Sequence, residues 1–156
     1  MAGLPDYSFK RFLIVYDQAF MLGHLERLLK LCKTGHIVKA NDGGTALRAI
    51  EDEPNQCDCV ITDFDMKPLN GLQLLSAMRL GTNPGTPHEQ RLIMLTGNSD
   101  AAVIDGARAL DVDGFIAKPV KPETLFPVIN QALNSPSQVR PAAFYRAITM
   151  PAFALP

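Results

Sequence analysis

The feature that most constrains this chain is an alternation: short apolar runs take turns with longer segments whose apolar residues recur at helical spacing. A strand buried on both faces reads as a continuous apolar run, so the pattern predicts an α/β domain around a parallel sheet. Phe12-Leu13-Ile14-Val15 is the first run. Asp17 then stands where an N-cap belongs, and Met21, Leu25, Leu28 and Cys32 repeat at helical spacing until Gly35 ends the helix. A second strand is expected from His36 to Ala40 and a second helix from Gly43 to Glu53, with Ala46, Leu47 and Ile50 on one side. Cys59-Val60-Ile61 reads as the third strand and Leu72 to Leu80 as the third helix, followed by a turn-rich loop from Gly81 to Pro87. Leu92 to Leu95, Asp100 to Leu110, Phe115 to Ala117 and Glu123 to Leu133 complete five strands and five helices, a doubly wound sheet.

At 156 residues the chain has the size of one domain. Its net charge of −1 supplies no basic field, so neither nucleic acid nor a membrane surface is an expected partner. No apolar run approaches the ~20 residues that span a bilayer, and Met1 to Lys10 lacks the basic-then-apolar pattern of a signal peptide. A cytoplasmic protein is expected. Cys32, Cys57 and Cys59 fit no disulfide framework, and His24, His36 and His88 are scattered, so reduced packing residues are the better reading than a metal site. Cys57 and Cys59, two apart at a strand start, are spaced to share a face.

The tail from Ser135 to Pro156 breaks the pattern, with four prolines, two charges (Arg140 and Arg146) and the apolar side chains of Phe144, Tyr145, Ile148, Met150 and Phe153. Two readings stand: a disordered end, or an apolar arm that packs on its own domain or on another chain. The expected division is a body over 10–134 and a Pro-rich tail over 135–156, too short for an output domain.

Open α/β sheets bind ligands beyond the carboxyl ends of their strands. The polar residues at those ends are Asp17 after the first strand, Asp63 and Asp65 after the third, Thr96 after the fourth and Lys118 after the fifth. One strand-end Asp is usually a cap; five such groups on one edge exceed what capping requires. Two carboxylates ~4 Å apart repel by roughly 4 kcal/mol at an effective dielectric of 20, so the cluster invites a hard divalent cation. A lysine can neutralise a phosphoryl oxygen, a hydroxyl can hydrogen-bond it, and one carboxylate can attack phosphorus to give an aspartyl phosphate.

Here a resemblance becomes specific. The segment from Val60 to Gly71, with Asp63, Met66, Pro68 and Gly71, is similar to the phosphoacceptor segment of the receiver domains of bacterial two-component response regulators, of the chemotaxis type. Leu95-Thr96-Gly97 resembles the family's strand-four hydroxyl and small residue, and Phe115-Ile116-Ala117-Lys118-Pro119 its strand-five aromatic and Lys-Pro pair. The likeness runs from about Lys10 to Leu133. It implies a flavodoxin-like (βα)5 fold with strand order 2-1-3-4-5. It also implies a phosphoprotein that is not an enzyme, with Asp63 as phosphoacceptor, Asp17 as a Mg²⁺ ligand, Thr96 and Lys118 against the phosphoryl group, and Thr96 and Phe115 as switch residues. A sensor histidine kinase or a phosphotransfer protein would donate the group. Output would pass to a protein target through the face of the fourth helix, fifth strand and fifth helix, with a homodimer left open, and a cis peptide is common before the position of Pro119.

Two departures stand out. Tyr16 occupies the place of the first of two adjacent acids, which puts Mg²⁺ affinity in question, and Lys67 stands where the family usually has proline. Asp65 would then serve as a third acid of the metal set with Asp17 and Asp63. One alternative is a pseudo-receiver, a binding module that works without phosphorylation because Tyr16 has altered the pocket. Another is a haloacid-dehalogenase-like phosphatase, since Asp63-Phe64-Asp65 matches that family's D-x-D. Those enzymes need further acids after their lysine, and beyond Lys118 this chain has only Glu123.

Overall fold

Two of the apolar runs form strands that are buried at every residue. In the computed structural model, which describes residues 3–53, 56–81, 85–97 and 101–148, every residue of β3 (Cys59–Asp63) and β4 (Leu92–Thr96) is buried. β1 (Arg11–Val15), β2 (His36–Ala40) and β5 (Gly114–Ala117) complete a parallel sheet of five strands in the order β2-β1-β3-β4-β5. Between them run α1 (Ala19–Lys30), α2 (Gly43–Asp52), α3 (Gly71–Arg79) and α4 (Ala101–Ala109), and α5 (Pro122–Asn134) follows β5. This is the expected doubly wound arrangement.

Side-chain alternation along each strand divides the core into two layers. Phe12, Ile14, Ile61, Ile93 and Leu95 pack with Leu25 and Leu29 of α1 and Leu125 and Ile129 of α5. Leu13, Val15, Val60, Leu92 and Met94 pack with Ile50 of α2, Leu72 and Leu75 of α3, and Val103 of α4. Among the described residues no helix is long and apolar enough to cross a membrane.

Three local expectations need correction. Asp17 does not cap α1: the helix starts one residue later than the pattern suggests, so Gln18 is the N-cap, without a side-chain cap bond, and Asp17 stays exposed. Gly35 does not stop α1 either. The helix ends at Lys30, and the chain reverses through Lys33 at a φ of 58°. Gly35 is required for another reason, because a Cβ there would collide with the Ser8 carbonyl. Cys57 and Cys59 do not share a face: β3 begins at Cys59, which sits in the α1–α5 layer, whereas Cys57 precedes the strand and packs against the other layer. All three cysteines are free thiols.

The amino-terminal edge of the sheet is closed by Arg79, the last residue of α3 and fully buried. A guanidinium has five N–H donors, and here each meets an oxygen. Nε donates to Leu110 O at 2.8 Å, Nη1 to His88 O at 2.7 Å and Gln90 O at 2.8 Å, and Nη2 to Asp111 O at 3.2 Å and Asp113 Oδ2 at 3.3 Å. Asp113 Oδ2 also accepts the Leu92 backbone N–H at 2.9 Å.

The described part of the tail lies on this same edge. After α5 the chain forms one further short helix, α6 (Ala142–Arg146). Tyr145 is 1% exposed. Its hydroxyl donates to Asp111 Oδ2 and accepts the Arg140 N–H, each at 2.7 Å. Arg146 Nε donates to Leu80 O at 3.0 Å, and Val139 and Ile148 pack against the α2–α3–α4 layer. Met150 and Phe153 lie outside the described residues.

Candidate functional site

The opposite, carboxyl edge gathers the residues singled out from the sequence. Asp63 ends β3 and is 2% exposed, and Thr96 ends β4 and is 4% exposed. Lys118 directly follows β5. The parallel register sets Thr96 beside Ala117, and the Lys118 N–H donates to Thr96 O at 3.0 Å, so the two positions are joined through backbone. Lys118 Nζ then reaches across to Asp63 Oδ1 at 2.8 Å. The peptide bond between Lys118 and Pro119 is cis, as is that between Lys67 and Pro68.

Gly71 explains how close the next helix comes. A Cβ there would lie 2.5 Å from Asp63 O, and the Gly71 N–H donates to Phe64 O at 2.9 Å. Asn70 and Gln73 cap the start of α3 reciprocally, Gln73 N–H to Asn70 Oδ1 at 2.7 Å and Asn70 N–H to Gln73 Oε1 at 2.8 Å. The turn after Asp63 is therefore fixed by backbone contact and by a capping box. In the sequence Gly71 stands out only through the family resemblance, and the signal for the capping pair is the N-x-x-Q pattern of Asn70 and Gln73.

Burial raises the Asp63 carboxyl above its ordinary range, against the hydrogen bond and charge of Lys118 and with the nearby charges of Asp65 and Asp17 adding to the rise. Lys118 loses some basicity to its own burial, but the hydrogen bond and charge of Asp63 more than offset this and hold the ammonium above the ordinary lysine value. Tyr16 is 3% exposed. Burial and the Asp63 charge push its phenol up, against the hydrogen bond and charge of Lys118.

Asp17 and Asp65 are both exposed and both line a cavity of about 420 Å³, together with Phe64, Met66, Lys67 and Asn70. Asp63 is not on that wall. Among the described residues no three His, Cys, Asp or Glu side chains close on one point as a metal cage. Mg²⁺ needs no such cage, since it takes one or two carboxylates, waters and phosphate oxygens. Two carboxylates on an open cavity, with their charges felt at Asp63, fit that donor set. Phe115 on β5 is half-buried and packs against the α3–α4 side.

Comparison with known proteins bears on this arrangement. The family model described as "Response regulator receiver domain" matches residues 12–130. A "Probable chemotaxis protein CheY" of Rhizobium etli is 33% identical over 107 residues, which cover 69% of this chain and 79% of that protein. The "Two-component response regulator ARR10" of Arabidopsis thaliana is 33% identical over 116 residues, 74% of this chain but only 20% of that much longer protein. Among solved structures, a response regulator receiver domain protein from Clostridium thermocellum superposes with a TM-score of 0.69 at 27% identity, covering 80% of this chain and 94% of that one.

Proposed function

The chain belongs to the response regulator receiver domain family, and from that premise we propose that Asp63 accepts a phosphoryl group in two-component signalling. The observation that carries the reading is the Lys118–Asp63 contact of 2.8 Å at the carboxyl edge, between a buried carboxylate and a lysine aimed at it. In the proposed step an Asp63 carboxylate oxygen attacks the phosphorus of a phosphohistidine on a sensor kinase or phosphotransfer protein. The new O–P bond forms as the P–N bond breaks, and the electron pair leaves with the imidazole. Lys118 is positioned to pass its hydrogen bond from Asp63 to a phosphoryl oxygen, and the Thr96 hydroxyl to donate a second. Positioning and charge neutralisation supply most of such catalysis. Mg²⁺, held beside Asp17 and Asp65, would neutralise phosphoryl charge; Asp65 would make up in part for the acid replaced by Tyr16.

The signal would leave through α4, β5 and α5, with Phe115 and Thr96 as the moving residues and a protein target as receiver. The test is incubation with acetyl phosphate or beryllofluoride and Mg²⁺, followed by intact mass measurement and fluorine NMR. Wild type should gain one phosphoryl group or bind the analogue, and Asp63→Asn should do neither; equal modification of both overturns the assignment. A pseudo-receiver is the second reading, favoured by the burial of Tyr16 in the acid's place. It predicts an unmodified wild type whose partner binding is the same in Asp63→Asn.

A further inference from the structure

Tyr16 directly follows β1, its N–H held by Ala40 O at 3.1 Å and its ring packed in the α1–α5 layer. An acid in this place would extend the negative charge of Asp17. A phenol ring instead offers an electron-rich face without net charge. Lys118 Nζ lies 5.5 Å from the centroid of that ring and also hydrogen-bonds the Tyr16 hydroxyl, while it donates to Asp63 Oδ1 at 2.8 Å, so Tyr16→Phe separates the ring from the hydroxyl. The distance to the ring is within the ~6 Å over which an ammonium is attracted to an aromatic face. Lys118 is itself only partly exposed, with 23% of its side chain in solvent, so the attraction is incompletely screened.

We infer that Tyr16 is a positioning residue for Lys118, its ring seating the ammonium against Asp63. The substitution thus removes a charge suited to a cation from solution and adds a surface that holds the chain's own cation. The seat rests on geometry alone. Its effect on rate rests on Asp63 being the phosphoacceptor, and the two can fail separately.

The test uses the full chain with lysine labelled at Cε, the Lys118 signal assigned by its loss in Lys118→Arg. A proton near a ring face is displaced upfield by the ring current. Wild type and Tyr16→Phe should show a displaced Lys118 ε-methylene signal, and Tyr16→Leu should return it to the position of the exposed lysines. The rate of modification by acetyl phosphate should fall about three- to tenfold in Tyr16→Leu and stay within about twofold of wild type in Tyr16→Phe. A wild-type Lys118 signal at the ordinary lysine position overturns the seat without any Tyr16 variant, which covers the case of Tyr16→Leu failing to fold. So does a Tyr16→Phe protein that loses as much as Tyr16→Leu. If wild type takes no phosphoryl group, the phosphoacceptor reading fails, and the lysine signal still decides the seat.

Discussion

Among the described residues each edge of the sheet holds a largely buried cation–carboxylate pair, and the pairs differ in how completely they are satisfied. At the amino edge Arg79 is wholly out of solvent, and all five of its donors have acceptors drawn from the turns before β4 and β5. At the carboxyl edge Lys118 keeps 23% of its side chain in solvent and gives Asp63 Oδ1 one of the three donors an ammonium has. A saturated pair can only be broken. An unsaturated one can exchange partners, which is what a phosphoryl acceptor requires. The same elementary interaction is thus saturated at one edge and, on the proposed function, open to exchange at the other.

The largest effect should follow from Arg79→Leu, which takes the guanidinium away from Asp113 and from four backbone carbonyls. Removing one member of a buried pair costs about 3–5 kcal/mol. Urea unfolding should register that loss, while the fraction still folded should be modified by acetyl phosphate at the wild-type rate. A loss below about 1 kcal/mol would erase the contrast between the edges. Tyr145→Phe should cost about 1 kcal/mol by the same measurement, since it deletes the hydroxyl shared by Asp111 and Arg140. It too should spare the modification rate; a slowed rate would mean that the tail reaches the site.

Turning to the carboxyl edge, Asp65→Asn should weaken Mg²⁺ binding about fivefold in a calorimetric titration. Stability should stay within about 0.5 kcal/mol, because Asp65 is exposed. Unchanged Mg²⁺ affinity would leave Tyr16 as an uncompensated loss and favour the pseudo-receiver. The smallest effect concerns Cys57, whose carbonyl accepts Gln90 Nε2 at 3.1 Å on the amino edge. Burial pushes its thiol up to about 11. The thiolate is the reactive form, so alkylation should be slow at pH 8 and quicken about tenfold for each pH unit up to that value. Fast alkylation at pH 8 in folded protein would show this part of the edge to be open.

The strands were legible because each is a short apolar run, and the strand-end residues Asp63, Thr96 and Lys118 could be collected from them directly. Their meeting was legible through the order in which they occur. Arg79 was not. In the sequence it looks like a basic residue in the last turn of an amphipathic helix, a place where solvation is the rule. Its acceptors lie up to 34 residues away, and no local spacing marks them. Asp17 was misread as a cap because a strand-end Asp ordinarily is one, and a shift of one residue in the start of α1 freed it for the cavity. Tyr145 was visible only as one of several apolar tail residues, since its seat on Asp111 depends on a turn with a φ of 51° that the pattern does not reveal.

Asp113 accepts from Leu92 at the start of β4 and from Arg79, while it immediately precedes β5. The two strands that lead to Thr96 and Lys118 are therefore pinned by side chains at their bases as well as by the backbone ladder along their length, two fused prongs. With about 3.3 Å of rise per residue, each prong is roughly 15 Å long. Sliding one strand past the other would tear the base, so a force at the tips is left with bending and twisting.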